Sequence, residues 1–305
     1  MKKILILASK RSDKKEKFIN YLQKYFNKKA EVVLGIFSDL TFQIETGNII
    51  VEIDGRNIND FDLVYFRNTS GFQSIAAGLA IYLESTGVKF CDKSFINGSF
   101  VGDKFTSSIR LAVNGIPIVP SFVCWNESIG KNRKMIVEKL GFPVVAKEVR
   151  TQRMQCVYLL KTLRDFDKLP DTTRSGSPAR YLFQKFISFD EEFRVLVLGK
   201  NVGVVHTKTL RDNTGFKVEY SDMEEYPEFL DPENLPPVIK ETAIKAANVL
   251  NIQVAGVDIC REKVTGKFFV FEVNRGPGID YNTDVSQEMP KIAEFISFEL
   301  DIKKP

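Results

Sequence analysis

The stretch with the plainest chemical content is "GVDICREKVTGKFFVFEVNRGPG". Side chains alternate along a strand, so Glu272 and Asn274 are expected on one face, with Phe269, Phe271 and Val273 on the other, toward the core. A carboxylate and an amide at the end of an apolar strand are costly to bury without partners. Asp258 ends the preceding strand "VAGVD", and a hairpin between the two strands lets three oxygen-bearing side chains converge. Hard oxygen donors with open positions suit Mg2+ held between protein and phosphate oxygens. The competing reading is that Glu272 and Asn274 leave the sheet at its solvated edge. Two lysines form a second candidate group. Lys147 lies inside the apolar strand "PVVAKEV", where an inward ammonium needs an anion such as phosphate. Its competing reading is an edge-strand lysine that guards against aggregation. Lys104 opens the helical stretch "DKFTSSIRLAVNG".

The elements that must position these residues fall into two textures. Through residue 100 strand and helix signals alternate. "KILILA" reads as a buried strand, and Ser12 starts a helix with Phe18, Ile19, Leu22, Tyr25 and Phe26 at helical spacing. "AEVVLGIF", "NIIVEIDGRNI" (a strand entering an Asp-Gly turn), "FDLVYFRN" and "VKFCD" read as strands, with a helix at about 72–85. Such alternation predicts a mainly parallel, Rossmann-like α/β sheet. The turn after the first strand is "ASKRSDKK", without a GxGxxG fingerprint, so a dinucleotide site is not expected there. From residue 103 the chain turns α+β. Helices end at Asn114-Gly115 and Gly141, prolines at 117, 120 and 143 enforce extended exits, and hairpin strands follow.

A chain of 305 residues, 44% hydrophobic, supports two or three units with cores of their own. With 43 basic and 39 acidic residues the charge is only +4, so neither nucleic acid nor membrane is called for as a partner. The apolar run from Ile4 to Ala8 is too short for a signal peptide or a membrane span. Four scattered cysteines without CxxC spacing argue against zinc and for reduced, cytoplasmic thiols. A single histidine, His206, rules out multi-His metal sites and reads as a sheet residue, while Trp125 reads as packing. Chemistry is therefore expected to run on lysines, carboxylates and a cofactor.

In order along the chain stand DK, GIPxxP, FPVVAK, FQKFI, EFRVLVLG, GVD and FEVNRGPG. This series resembles the ATP-grasp superfamily, and within it the RimK-like, glutamate-ligase-type branch, over residues of about 103–278. The resemblance implies a Rossmann-like pre-ATP-grasp domain (1–100) and an ATP-grasp domain (101–305) of two α+β subdomains, a lid-bearing one (101–185) and a metal-binding one (186–305). ATP would lie between the subdomains. Lys104 and Lys147 match the lysines that meet ATP. Gln184, Lys185, Phe186 and Ile187 match the segment that recognises adenine, and Asp190 or Glu191 would reach the ribose. Asp258, Glu272 and Asn274 match the Mg2+ (or Mn2+) ligands. Arg194 matches an arginine near substrate and phosphates. Lys208 stands where the branch usually has arginine, so charge is kept and bidentate geometry is lost. The implied reaction joins a small-molecule or peptide carboxylate to an amine through an acyl phosphate, in an enzyme compatible with a homo-oligomer.

One departure matters. The family usually closes a glycine-rich loop over the phosphates, and the aligned residues 151–157 are "TQRMQCV", without glycine. Either Arg150 and Arg153 contact phosphate by side chain, or closure is lost and the protein binds nucleotide with weak or no turnover, acting as a regulatory or scaffolding module. A solvated hairpin turn is the third reading.

Overall fold

A computed structural model describes residues 1–97, 103–149, 156–172, 176–209 and 228–303, apart from the side chains of Asp190, Lys208 and Thr209. The N-terminal part contains β1 (Lys2–Ala8), α1 (Asp13–Phe26), β2 (Ala30–Ile36), β3 (Leu40–Glu45), β4 (Asn48–Ile53), β5 (Arg56–Asn57), β6 (Leu63–Asn68), α2 (Gln73–Thr86) and β7 (Lys89–Cys91). Strands β2-β1-β6-β7 form a parallel sheet, as the alternating pattern predicts, and β3-β4-β5 form a small antiparallel sheet beside it. The run "ILILA" of β1 is wholly buried because both faces of the parallel sheet are covered. Leu5 and Leu7 pack toward α2, while Ile4 and Ile6 pack toward α1.

The rest of the chain builds two antiparallel sheets. Helix α3 (Lys104–Val113) is capped by Asp103, whose side chain accepts from the Thr106 amide at 2.7 Å. Then follow β8 (Ser121–Trp125), α4 (Ile129–Leu140), β9 (Val144–Glu148), β10 (Val157–Leu160) and β11 (Arg180–Lys185), whose strands pair in the order β10-β9-β11-β8. Their core is their own: Ile136 and Leu140 of α4 pack on Val144, Ala146, Tyr181 and Phe183. Next come β12 (Phe189–Leu198), β13 (Asn201–Thr209), β14 (Glu228–Leu230), α5 (Pro237–Val249), β15 (Val254–Glu262), β16 (Phe268–Arg275) and α6 (Glu288–Glu299), with sheet order β14-β13-β12-β15-β16.

This last sheet positions the candidate chemistry. One face, with Val195, Val197, Val257 and Ile259, is covered by Ile239, Ala243 and Ala246 of α5. Among the described residues, apolar clusters cover the other face at its two ends. At one end Leu196, Leu198, Val204 and Val254 join α6 and the α1 side of the parallel sheet in a single core. At the other, Cys260, Phe269 and Phe271 pack with Val119 and Ile187 near the second sheet. A polar strip lies between. No helix among the described residues is long and apolar enough to cross a membrane.

Three expectations about individual residues need correction. Phe269 and Phe271 do not face away from Glu272. A β-bulge at Phe271 breaks the alternation, since Glu272 pairs with Asp258 but Val270, not Phe271, pairs with Ile259. Val270 and Val273 therefore enter the α5 core, and both phenylalanines stay on the face of the polar strip. Strand β9 lies between β10 and β11, so Lys147 is not an edge-strand lysine. Trp125 is half exposed, with the Arg180 guanidinium 5.5 Å from its ring centroid, and is not core packing.

Candidate functional site

The polar strip is one lateral row across four strands. His206 on β13 pairs with Arg194 on β12, Arg194 with Asp258 on β15, and Asp258 with Glu272 on β16. Side chains directly opposite on neighbouring strands share a face, so sheet register alone brings these four together. Arg194 grips Asp258 with two bonds, Nε to Oδ1 at 2.8 Å and Nη2 to Oδ2 at 3.1 Å. Asn274, one step along β16, donates its Nδ2 to the same Oδ2 at 3.0 Å. Gly256 makes room for this corner, because a Cβ there would lie 2.8 Å from Pro277 Cβ. The Asp258 carboxylate is buried, while the Arg194 side chain remains 40% exposed, so the pair is reached from solvent on the arginine side.

Asp258 and Glu272 are like charges on directly opposed positions, an arrangement that costs stability unless cations compensate. Arg194 supplies one positive charge. Lys147 supplies another from the facing sheet: its Nζ lies 5.7 Å above the centre of the Phe271 ring. Loss of hydration lowers the Lys147 pKa, Glu272 and Asp258 pull it back up, and the nearby Lys104 pushes it further down. Lys147 thus lies within electrostatic reach of Glu272, Asp258 and, from the start of α3, Lys104. The donor set of Asp258, Glu272 and the Asn274 amide is all oxygen and set beside cationic side chains, and it fits a hard divalent cation shared with an anionic ligand.

The remaining candidates divide. Gln184 is buried and donates to Ser121 Oγ at 3.1 Å, and Ile187 is buried in the apolar cluster beneath Lys147, with Phe186 between them partly exposed. Lys185 turns its ammonium to Glu262 at 3.3 Å, and Glu191 pairs with Arg261 at 3.4 Å, so both side chains are engaged in ion pairs at the margin. Arg150 and Arg153 lie outside the described residues, as do the side chains of Asp190 and Lys208. His206, expected as a sheet residue, is one: its Nε2 is 3.1 Å from Glu288 Oε1 on α6. Sequence reasoning missed that Phe269 and Phe271 lie on the face of the polar strip, because a bulge leaves no mark in an alternating pattern.

Comparison with known proteins bears on the same region. A family model described as the RimK-like ATP-grasp domain matches residues 101–294. Human β-citrylglutamate synthase B is 27% identical over 253 residues, 80% of this chain and 62% of that protein. A probable α-L-glutamate ligase of Desulfotalea psychrophila is 28% identical over 234 residues, 75% of this chain and 48% of that one. The chain therefore spans less than two thirds of the length of these curated relatives. Among solved structures, a RiPP-associated ATP-grasp ligase of Chryseobacterium gregarium, in complex with ADP and a leader and core peptide, superposes with a TM-score of 0.70 at 17% identity, covering 100% of this chain and 98% of that one. The D-alanyl-alanine synthetase A of Vibrio cholerae gives 0.64 at 17% identity, covering 99% of each chain. At this identity the two superpositions establish the fold.

Proposed function

The chain belongs to the RimK-like ATP-grasp family, and on that premise we propose that it is an ATP- and Mg2+-dependent carboxylate–amine ligase. The observation that carries the reading is the row Arg194–Asp258–Glu272 facing Lys147 and Lys104 over an apolar floor. Lys104 and Lys147 hold the nucleotide phosphates as mobile point charges. The segment Gln184, Lys185, Phe186 and Ile187 lines the base, with Phe269 and Phe271 behind it. Asp258, Glu272 and Asn274 hold Mg2+ (or Mn2+), which supplies charge neutralisation and alignment for the transferring phosphoryl group. Arg194 fixes the Asp258 carboxylate and presents its exposed edge to the substrate side.

In the proposed reaction an oxygen of the substrate carboxylate attacks the terminal phosphorus of ATP, and the bond to ADP breaks. The amine nitrogen then attacks the acyl carbon and loses a proton, and inorganic phosphate leaves as the amide forms. The protein needs no nucleophile of its own. Its contribution is positioning and charge compensation, which suits a chain with one histidine. Relatives named for citrylglutamate synthesis and glutamate ligation support a carboxylate-bearing amino acid as the amine partner.

The test is ADP release from ATP with a panel of amino acids, small acids and peptides, with and without Mg2+. Mg2+-dependent release that requires both an acid and an amine is the expected result. Binding of Mg-ATP with no release for any pair would replace the ligase by a nucleotide binder without turnover. A folded protein that binds no nucleotide would overturn both.

A further inference from the structure

Arg67 is a buried cation whose charge the proposed ligase chemistry does not use. It stands one residue before the end of β6, at a bulge: Leu7 pairs with Phe66 and Ala8 with Asn68, which leaves Arg67 between them out of the strand register. Bulges of this kind re-aim a side chain, and the C-terminal ends of parallel strands are where open α/β sheets take their ligands. Arg67 is only 5% exposed, yet among the described residues its Nε has no hydrogen-bond partner, and its Nη2 donates to the Tyr281 hydroxyl at 3.4 Å. Among the described residues no carboxylate forms an ion pair with it. A guanidinium buried without a counter-ion is costly, and a site that keeps one is built for an anion.

The surroundings agree. Tyr65, two residues earlier and close enough for Arg67 to act on its hydroxyl, is 2% exposed, and that hydroxyl also has no partner among the described residues. Burial raises its pKa, so at neutral pH it is a hydrogen-bond donor. Lys15, from the first turn of α1, is close enough that Arg67 lowers its pKa, after burial as the larger cause. The loop that follows Asn274 closes against this place: a Cβ on Gly276 would meet the Arg67 carbonyl oxygen at 2.5 Å and Nη1 at 3.6 Å. The unused donors thus stand beside the segment that leaves the candidate metal site.

We propose that Tyr65, Arg67 and Tyr281 form a seat for a carboxylate of the ligase substrate, with Lys15 adding positive potential. The identification of the ligand as substrate rests on the ligase reading, while the seat itself rests on the orphaned donors. The guanidinium fork and the two phenols match the planar, bidentate geometry of a carboxylate. The carboxylate comes either from the amine-bearing amino acid or from the acid to be activated.

The test is calorimetric titration of the full chain with Mg2+ and a non-hydrolysable ATP analogue. The probes are the proteinogenic amino acids, L-glutamate included, and their N-acetylated forms. Binding of the free amino acids alone assigns the seat to the amine partner, and binding of the N-acetylated acids assigns it to the acid. Arg67→Gln should weaken the bound probe by about 10- to 100-fold, the worth of a charge-assisted hydrogen bond, with nucleotide affinity within threefold of wild type. Tyr65→Phe and Tyr281→Phe keep shape and serve if Arg67→Gln does not fold, and each should weaken the probe severalfold without lowering the melting temperature. Unchanged probe affinity in these variants overturns the seat, as does a wild type that binds nucleotide but no probe. A wild type that binds a probe through Arg67 but binds no nucleotide keeps the seat and discards the ligase.

Discussion

Replacing Lys147 by methionine separates function from stability by sign. The ammonium lies above Phe271, and burial lowers its pKa, so in the ligand-free protein it is a desolvated charge among partly apolar neighbours. Methionine keeps length and loses charge. Removing the charge relieves the desolvation that lowers its pKa and gives up its compensation of Asp258 and Glu272; desolvation is the larger cause, so ligand-free stability should hold or rise, by no more than about 2 kcal/mol. Binding should respond the other way. One charge-assisted hydrogen bond to a phosphate is worth about 1.5–3 kcal/mol, so affinity for Mg-ATP should fall about 10- to 150-fold. The assay is thermal unfolding with nucleotide at about one hundred times the wild-type Kd, which stabilises wild type by about 2.7 kcal/mol. A 50-fold weaker variant keeps about 0.65 kcal/mol. For 305 residues the unfolding entropy is about 0.64 kcal/mol/K, so the ligand-induced shift should drop from about 4 °C to about 1 °C. The sign with pH follows from the lowered pKa. The unfolded chain binds the proton more readily, so wild type should gain stability relative to Lys147→Met as pH climbs toward 10.5, and the difference should level off above it. A variant with the wild-type ligand shift would refute the placement of Lys147 against phosphate. A ligand-free variant that melts many degrees lower would show that the lysine is structural.

Asp258→Asn should abolish the Mg2+-dependent part of nucleotide affinity while leaving the metal-free part, as read by titration with and without EDTA. Its stability should fall by only about 1–2 kcal/mol, because Arg194 keeps access to water. Gly276→Ala forces a Cβ against the Arg67 carbonyl at a φ of 54° and should cost about 2 kcal/mol or more in chemical denaturation. Thiol titration of the native protein should show one fast group, Cys156. Cys91, Cys124 and Cys260 are buried, and burial pushes the Cys124 thiol up to about 11; four fast thiols would contradict this packing.

The elements were legible because periodicity reports which face is covered. The strands of the parallel sheet, the helix rich in Phe18, Leu22 and Phe26, and the hairpin carrying Asp258 and Asn274 all followed from pattern and turn residues. What failed was parity. The bulge at Phe271 inserts one residue, and every assignment on its N-terminal side then changes face. Arg67 was invisible for the same reason: in "FDLVYFRN" it reads as the polar end of a strand, and only the bulge opposite Leu7 shows that it turns inward. Trp125 failed differently, because its surroundings are set by Arg180, fifty-five residues away in sequence and directly opposite in register. The row of His206, Arg194, Asp258 and Glu272 is a property of pairing between four strands, and no single strand contains it.

The core that α6 shares with β1 and α1 has a consequence for biogenesis. Ile4, Ile6, Phe18 and Leu22 are synthesised early, but part of the surface they bury belongs to Met289, Ile292, Ala293 and Ile296. On the ribosome this apolar face stays uncovered until residues 288–300 have left the exit tunnel. The small sheet built on α4 closes within its own stretch of sequence and has no such wait. The order of folding during translation therefore inverts the order of synthesis: the sheet packed on α4 is complete before the sheet that carries Arg67 has been sealed.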